Sequence, residues 1–186
     1  MQISKSLNIP DILIIEPKSF GDSRGFFFES FQAERYAELG IPQTFVQDNV
    51  SRSAHGVLRG LHHQKNHTQG KLVYVTAGRI LDVAVDIRRN SPTFGLWTSV
   101  ILDDQSHRQL YIPPGFAHGF CVLSETADFI YKCTEYYDPS SELTILWSDP
   151  ELSISWPIKN PVVSQKDQHG KLLKDISIDD LPIWTP

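Results

Sequence analysis

Two cysteines are all that this 186-residue sequence contains, Cys121 and Cys133, and both sit in apolar segments. That scarcity excludes a disulfide framework and points to buried, reduced thiols. Long apolar runs are missing too. No stretch approaches the ~20 residues that span a bilayer. The N-terminal MQISKSLNIPDILIIEPKSF lacks the extended apolar region of a secretory signal. The expected location is the cytoplasm, without membrane contact. An excess of positive charge is also absent. The formal charge is −5 and the pI near 5.8, which argues against a nucleic-acid partner held by the overall field, although a few arginines suffice for a small anion. No repeat, low-complexity tract, P-loop or dinucleotide fingerprint occurs.

What is present reads as one domain, residues 1–186, with 40% apolar and 21% charged residues, ample for a buried core. Strand signals dominate. Residues 12–15, 26–31, 71–76, 79–87, 96–102, 108–112, 119–123 and 128–137 are short, β-rich and separated by Gly, Pro, Asn or Asp. In RILDVAVDI, Leu81, Val83, Val85 and Ile87 share one face and Asp82, Ala84 and Asp86 the other. The first face is expected in the sheet core, and the second beside a solvated pocket. FQAERYAELG (31–40) predicts the one clear helix, stopped by Gly40 and Pro42, with a short second helix near Ile178–Leu181. Many strands and few helices predict a sandwich or barrel. Residues 147–186, rich in Pro, Trp and polar residues, are expected to wrap over it.

Chemistry concentrates in GVLRGLHHQKNHTQGKLV (56–73), with three histidines, an arginine and two lysines. Metal-binding jelly rolls of the cupin type hold two histidines one residue apart, a glutamate, and a histidine from a Pro-x-Gly-x-x-His segment. The last part is here, as Pro113-Pro114-Gly115-Phe116-Ala117-His118. The first part is not: two places after His62 stands Gln64, and the glutamate position holds Lys71. An ammonium has no lone pair and repels a divalent cation, so no metal is expected. Arg24, Arg59 and Lys71, beside Gly25, Gly60 and Gly70, could cradle a phosphate, yet each also fits a charge at a turn. A third possibility is proton transfer, with His62 as base, Tyr131 as acid and Lys71 as a cation for developing negative charge. Spacing alone does not make these three converge.

Taken together, FGDSRGFFFESF (20–31), QDNVSRSAHGVLRGLHHQ (47–64), QGKLVYVTAGRILDVAVDIRRNSPTFG (69–95), LYIPPGFAHGF (110–120), YKCTEYYDP (131–139) and SQKD (164–167) resemble the dTDP-4-dehydrorhamnose 3,5-epimerase family. The joint occurrence of RGLH, QGK, PPGFAHGF and the later YK carries the resemblance. It implies a mainly β, cupin-like jelly-roll barrel with a few short helices, a homodimer, and no metal or organic cofactor. It also implies action on dTDP-4-dehydro-6-deoxy-D-glucose, inverting C3 and C5 in dTDP-L-rhamnose biosynthesis. Of the residues, His62 would be the proton acceptor, oriented by Asp167, and Tyr131 the donor. Arg59, Lys71 and His118 would line the sugar and pyrophosphate region. Gln47, Asp48 and Asn49 would contact the nucleotide sugar, while Arg24 and Glu29 would reach the nucleotide from the partner subunit. Tyr137 would stack on the thymine, and Glu142 is a further binding position. Lys166 stands where the family often has arginine, which keeps the charge but loses a bidentate fork.

Three rivals are separable. A single-centre epimerase of a related sugar would keep the same acid, base and cation. A non-catalytic nucleotide-sugar-binding cupin would be expected to lack His62 or Tyr131. A metal-dependent oxygenase is disfavoured by Lys71.

Overall fold

Short apolar alternations punctuated by turn residues produce thirteen strands in the computed structural model, which describes residues 1–41 and 44–185. They are β1 (Gln2–Lys5), β2 (Leu13–Glu16), β3 (Ser19–Asp22), β4 (Gly25–Phe28), β5 (Gln47–Ala54), β6 (Leu58–Gln64) and β7 (Lys71–Ala77). Then follow β8 (Arg79–Asp86), β9 (Trp97–Asp103), β10 (Gln109–Ile112), β11 (Phe116–Val122), β12 (Thr126–Cys133) and β13 (Glu142–Thr144). One sheet runs β1-β2-β10-β7-β12-β5 and the other β13-β6-β11-β8-β9, with every neighbouring pair antiparallel. Strands β3 and β4 form a separate hairpin. This is the expected mainly β jelly roll.

Three apolar clusters hold it together. Between the sheets, Val73, Val75, Leu110, Ile112 and Phe129 of one meet Ile80, Ala84, Leu102, Phe116 and Phe120 of the other. Outside the five-stranded sheet, Leu61, Val83, Val85, Ile87 and Ala117 are covered by Leu152, Leu173, Ile176 and Leu181. Residues beyond β13 therefore wrap the sheet, as their composition suggested. Outside the six-stranded sheet, Tyr36 of helix α1 (Ala33–Glu38) packs on Ile15, Leu72 and Tyr111. The side chain of Gln32 caps α1 by accepting from the Arg35 N–H, and Gly40 closes it at φ +87°. Pro42, the other expected stop, lies outside the described residues. Residues 178–180 form a 3-10 turn where a short helix was expected.

Two expectations need correction. Strands β5 and β6 are not among the apolar runs of the sequence, because their inward residues are mostly polar. And the Asp82/Asp86 face of β8 is not solvated. Both carboxylates are fully buried, since the wrap covers one side of β8 and the opposite sheet the other. Asp86 accepts from Arg88, Ser91 and Thr93 and so anchors the loop that follows it. Both cysteines are buried and free, as composition implied. Among the described residues no helix is long and apolar enough to cross a membrane.

Candidate active site

The two sheets enclose a cavity of about 400 Å³ at one end of the roll. Its floor is the Phe120–Phe129 stack, with ring centroids 4.3 Å apart, which separates it from the dry core. One wall comes from the five-stranded sheet: Arg59 and His62 on β6, His118 on β11. The facing wall comes from the six-stranded sheet: Gln47, Asn49 and Ser51 on β5, Lys71 on β7, Tyr131 and Cys133 on β12. Gln69, Tyr137, Glu142 and Lys166 complete the lining.

Arg59 and His62 are three residues apart, a spacing that would send them to opposite faces of a regular strand. A bulge brings them together. His118 pairs with His62 and Phe120 with Arg59, so Gly60 and Leu61 stand opposite Gly119 alone. Gly60 sits at φ +124°, and a Cβ there would lie 2.6 Å from the Gly119 Cα and 2.8 Å from the His118 carbonyl oxygen. Only glycine fits that contact.

His62 Nε2 lies 2.7 Å from Asp167 Oδ1. Asp167 is buried in helix α2 (Gln165–Gln168), which Ser164 caps, and it also accepts the Gly60 N–H. Burial pushes the Asp167 carboxyl up, but the bonds to His62, Gly60 and Ser164 outweigh it and hold the group below the usual carboxylate range. An ionised carboxylate only accepts, so Nε2 carries the proton and Nδ1 is left as the basic nitrogen. Across the cavity, burial and the neighbouring Cys133 push the Tyr131 phenol up while Arg59 pulls it down, and the net rise keeps it protonated at neutral pH. Lys71 lines the cavity half-buried, and desolvation lowers its pKa against the opposing pull of Cys133, Asp82 and Glu142. Tyr137 Oη donates to Glu142 at 2.8 Å, which pushes the phenol up to about 12. Lys166 pairs with the same carboxylate at 2.6 Å.

Of the residues expected to act, the cavity gathers Gln47, Asn49, Arg59, His62, Lys71, His118, Tyr131, Tyr137, Glu142 and Lys166, with Asp167 behind His62. Asp48 points the other way and pairs with Lys132 at 2.8 Å. Arg24, at the tip of the β3–β4 hairpin, and Glu29, paired with Arg35, are not in this cavity. Sequence reasoning missed Ser51, Gln69, Phe120, Phe129 and Cys133. Alternation from Asn49 and from Tyr131 would have found Ser51, Phe129 and Cys133. Gln64, the would-be metal position, is buried and bonded to the backbone of His67, Tyr136 and Asp138. No three His, Cys, Asp or Glu side chains among the described residues are grouped to hold a metal ion.

A cupin-like jelly roll with an oriented histidine on one sheet and a protonated tyrosine on the facing one is built for moving protons at opposite sides of one ligand. The comparisons make this class specific. The family model described as dTDP-4-dehydrorhamnose 3,5-epimerase matches residues 6–175, and the chain belongs to that family. A dTDP-4-dehydrorhamnose 3,5-epimerase of Pseudomonas aeruginosa is 55% identical over 171 residues, covering 91% of this chain and 94% of that one. One from Salmonella typhimurium is 55% identical over 176 residues, covering 93% and 96%. The crystal structure of a dTDP-6-deoxy-D-glucose-3,5-epimerase from Legionella pneumophila, in complex with dTDP-4-keto-L-rhamnose, superposes with a TM-score of 0.97 at 57% identity, covering 100% and 99%.

Proposed function

We propose that the protein is an isomerase that inverts C3 and C5 of dTDP-4-dehydro-6-deoxy-D-glucose, giving dTDP-4-dehydro-L-rhamnose for dTDP-L-rhamnose biosynthesis. The observation that carries this reading is the origin of His62 and Tyr131 from facing sheets across one cavity. Both C3–H and C5–H flank the C4 carbonyl and are acidic. His62 Nδ1 takes one of these protons, and the C–H electron pair moves through the ring to leave negative charge on O4. Lys71 meets that charge. Tyr131 then donates its phenolic proton to the opposite face, which inverts the carbon. Exchange with water removes the proton from His62 and restores the tyrosine, and the cycle runs again at the second carbon. The chemistry needs neither metal nor organic cofactor.

Gln47, Asn49, Arg59 and His118 bind the sugar and pyrophosphate, and Tyr137, Glu142 and Lys166 the nucleotide. Arg24 and Glu29 act from the partner subunit of a homodimer. The exposed Phe20, Phe26 and Phe27 of the hairpin that carries Arg24 favour such a contact. A soluble nucleotide sugar and two reduced cysteines suit the cytoplasm. The test is incubation with substrate in deuterated water, following deuterium at C3 and C5 by NMR. Label at both carbons is expected. Label at one would make the protein a single-centre epimerase, and label at neither a binding module.

A further inference from the structure

The wall of the five-stranded sheet holds a second histidine–carboxylate pair, with the carboxylate behind it. Asp82 on β8 is fully buried, and both of its oxygens contact His118 Nε2, at 3.0 and 2.9 Å. As a carboxylate, Asp82 would receive the one N–H of His118 Nε2 on this pair of oxygens and leave Nδ1 bare. His118 is the cross-strand partner of His62, so two histidines stand side by side on one wall, each gripped at Nε2 by its own aspartate. The His118 Nδ1 has no protein partner among the described residues and is left for the ligand. We propose that Asp82 is a positioning residue: it fixes the ring and tautomer of His118 so that Nδ1 faces the sugar, and its charge supports the Lys71 ammonium. This deepens the epimerase reading and rests on it.

The two pairs differ in setting. His62 stands on the cavity wall with its side chain 29% exposed and Asp167 behind it, whereas the His118 and Asp82 side chains are 8% and 0% exposed. Burial pushes the Asp82 carboxyl up by more than the opposing pull of His118 and Lys71, so its net direction is upward. Lys71 in turn feels Cys133 of β12, Glu142 of β13 and His63 of β6 besides Asp82, while its register partner on β10 is Ile112. Asp82 favours the charged lysine, so neutralising Asp82 makes Lys71 lose its proton at lower pH.

The isosteric variant Asp82→Asn is therefore expected to lower kcat/KM by about 30-fold or more and to move the alkaline limb of the kcat profile to lower pH. Below the alkaline limb, where Lys71 keeps its proton in either background, adding Asp82→Asn to His118→Asn costs little further activity if Asp82 acts through His118. Wild-type kcat/KM and an unmoved limb in Asp82→Asn would overturn the proposal. Should that variant fail to fold, 15N-histidine NMR of the wild type decides: the signal lost in His118→Asn must show a protonated Nε2 and, when neutral, a bare Nδ1. A proton on Nδ1 alone would overturn the clamp. Absence of any exchange by wild type would instead overturn the epimerase reading and the catalytic part of this one, while the NMR result still decides the clamp.

Discussion

At the scale of single residues, the roles of the proposed base and acid separate experimentally. His62→Ala is expected to abolish deuterium exchange at both carbons while nucleotide binding stays within about tenfold, because one base serves both steps. Exchange at the wild-type rate would refute that assignment. Tyr131→Phe keeps the ring but removes its transferable proton, so the enolate still forms and is reprotonated from the face it left. Exchange should persist while inverted product falls by about tenfold or more, as read by NMR against product assay. Asp167 adds a pH dependence. Its folded carboxyl lies below the unfolded value, so its stabilising contribution is complete above about pH 4–5 and disappears as the pH falls through the folded value. Denaturant titrations of wild type and Asp167→Asn should differ by a constant amount from pH 8 to pH 5 and converge in stronger acid, with the variant's kcat down by about 10²–10⁴. Residues that carry chemistry were legible because few other residue types do their work. Asp48 was legible only as a neighbour of Asn49, and strand alternation turns it out to Lys132. Asp82 stands out in the sequence but reads as solvated, because nothing in RILDVAVDI announces that both faces of β8 are covered.

At the scale of elements, the bulge in β6 decides whether the wall can form. Gly60→Ala would force a Cβ onto the Gly119 backbone at a positive φ, which is expected to cost about 2–4 kcal/mol and to misalign Arg59 with His62. Thermal unfolding and exchange at C3 and C5 should both report it, and unchanged values would show that β6 and β11 can separate freely. Apolar alternation makes β7 to β12 readable in the sequence itself. It does not reveal β5 and β6, whose inward positions Gln47, Asn49, Ser51 and His62 are polar because they face a ligand cavity instead of the core. Nor does sequence periodicity show a one-residue bulge, since the slip exists only relative to the partner strand.

At the scale of the whole molecule, the segment after β13 is both cover and catalytic support. Leu173 fills the cluster on the outer face of the five-stranded sheet, and Leu173→Ala should cost about 2–4 kcal/mol, seen as a lower denaturant midpoint. The hairpin contact is tested by Phe27→Asp, which should yield monomer in sedimentation experiments and weaken dTDP binding by about tenfold or more if Arg24 serves the other subunit. A dimer of unchanged stability would exclude this face. His62 and the carboxylate that orients it are 105 residues apart in the chain. On the ribosome the base is therefore made long before its orienting partner, and the outer face of the five-stranded sheet waits for the same late segment. A premature stop between β13 and α2 would therefore remove the orienting carboxylate, Lys166 and the apolar cover of the five-stranded sheet in one stroke, costing the fold as well as the chemistry.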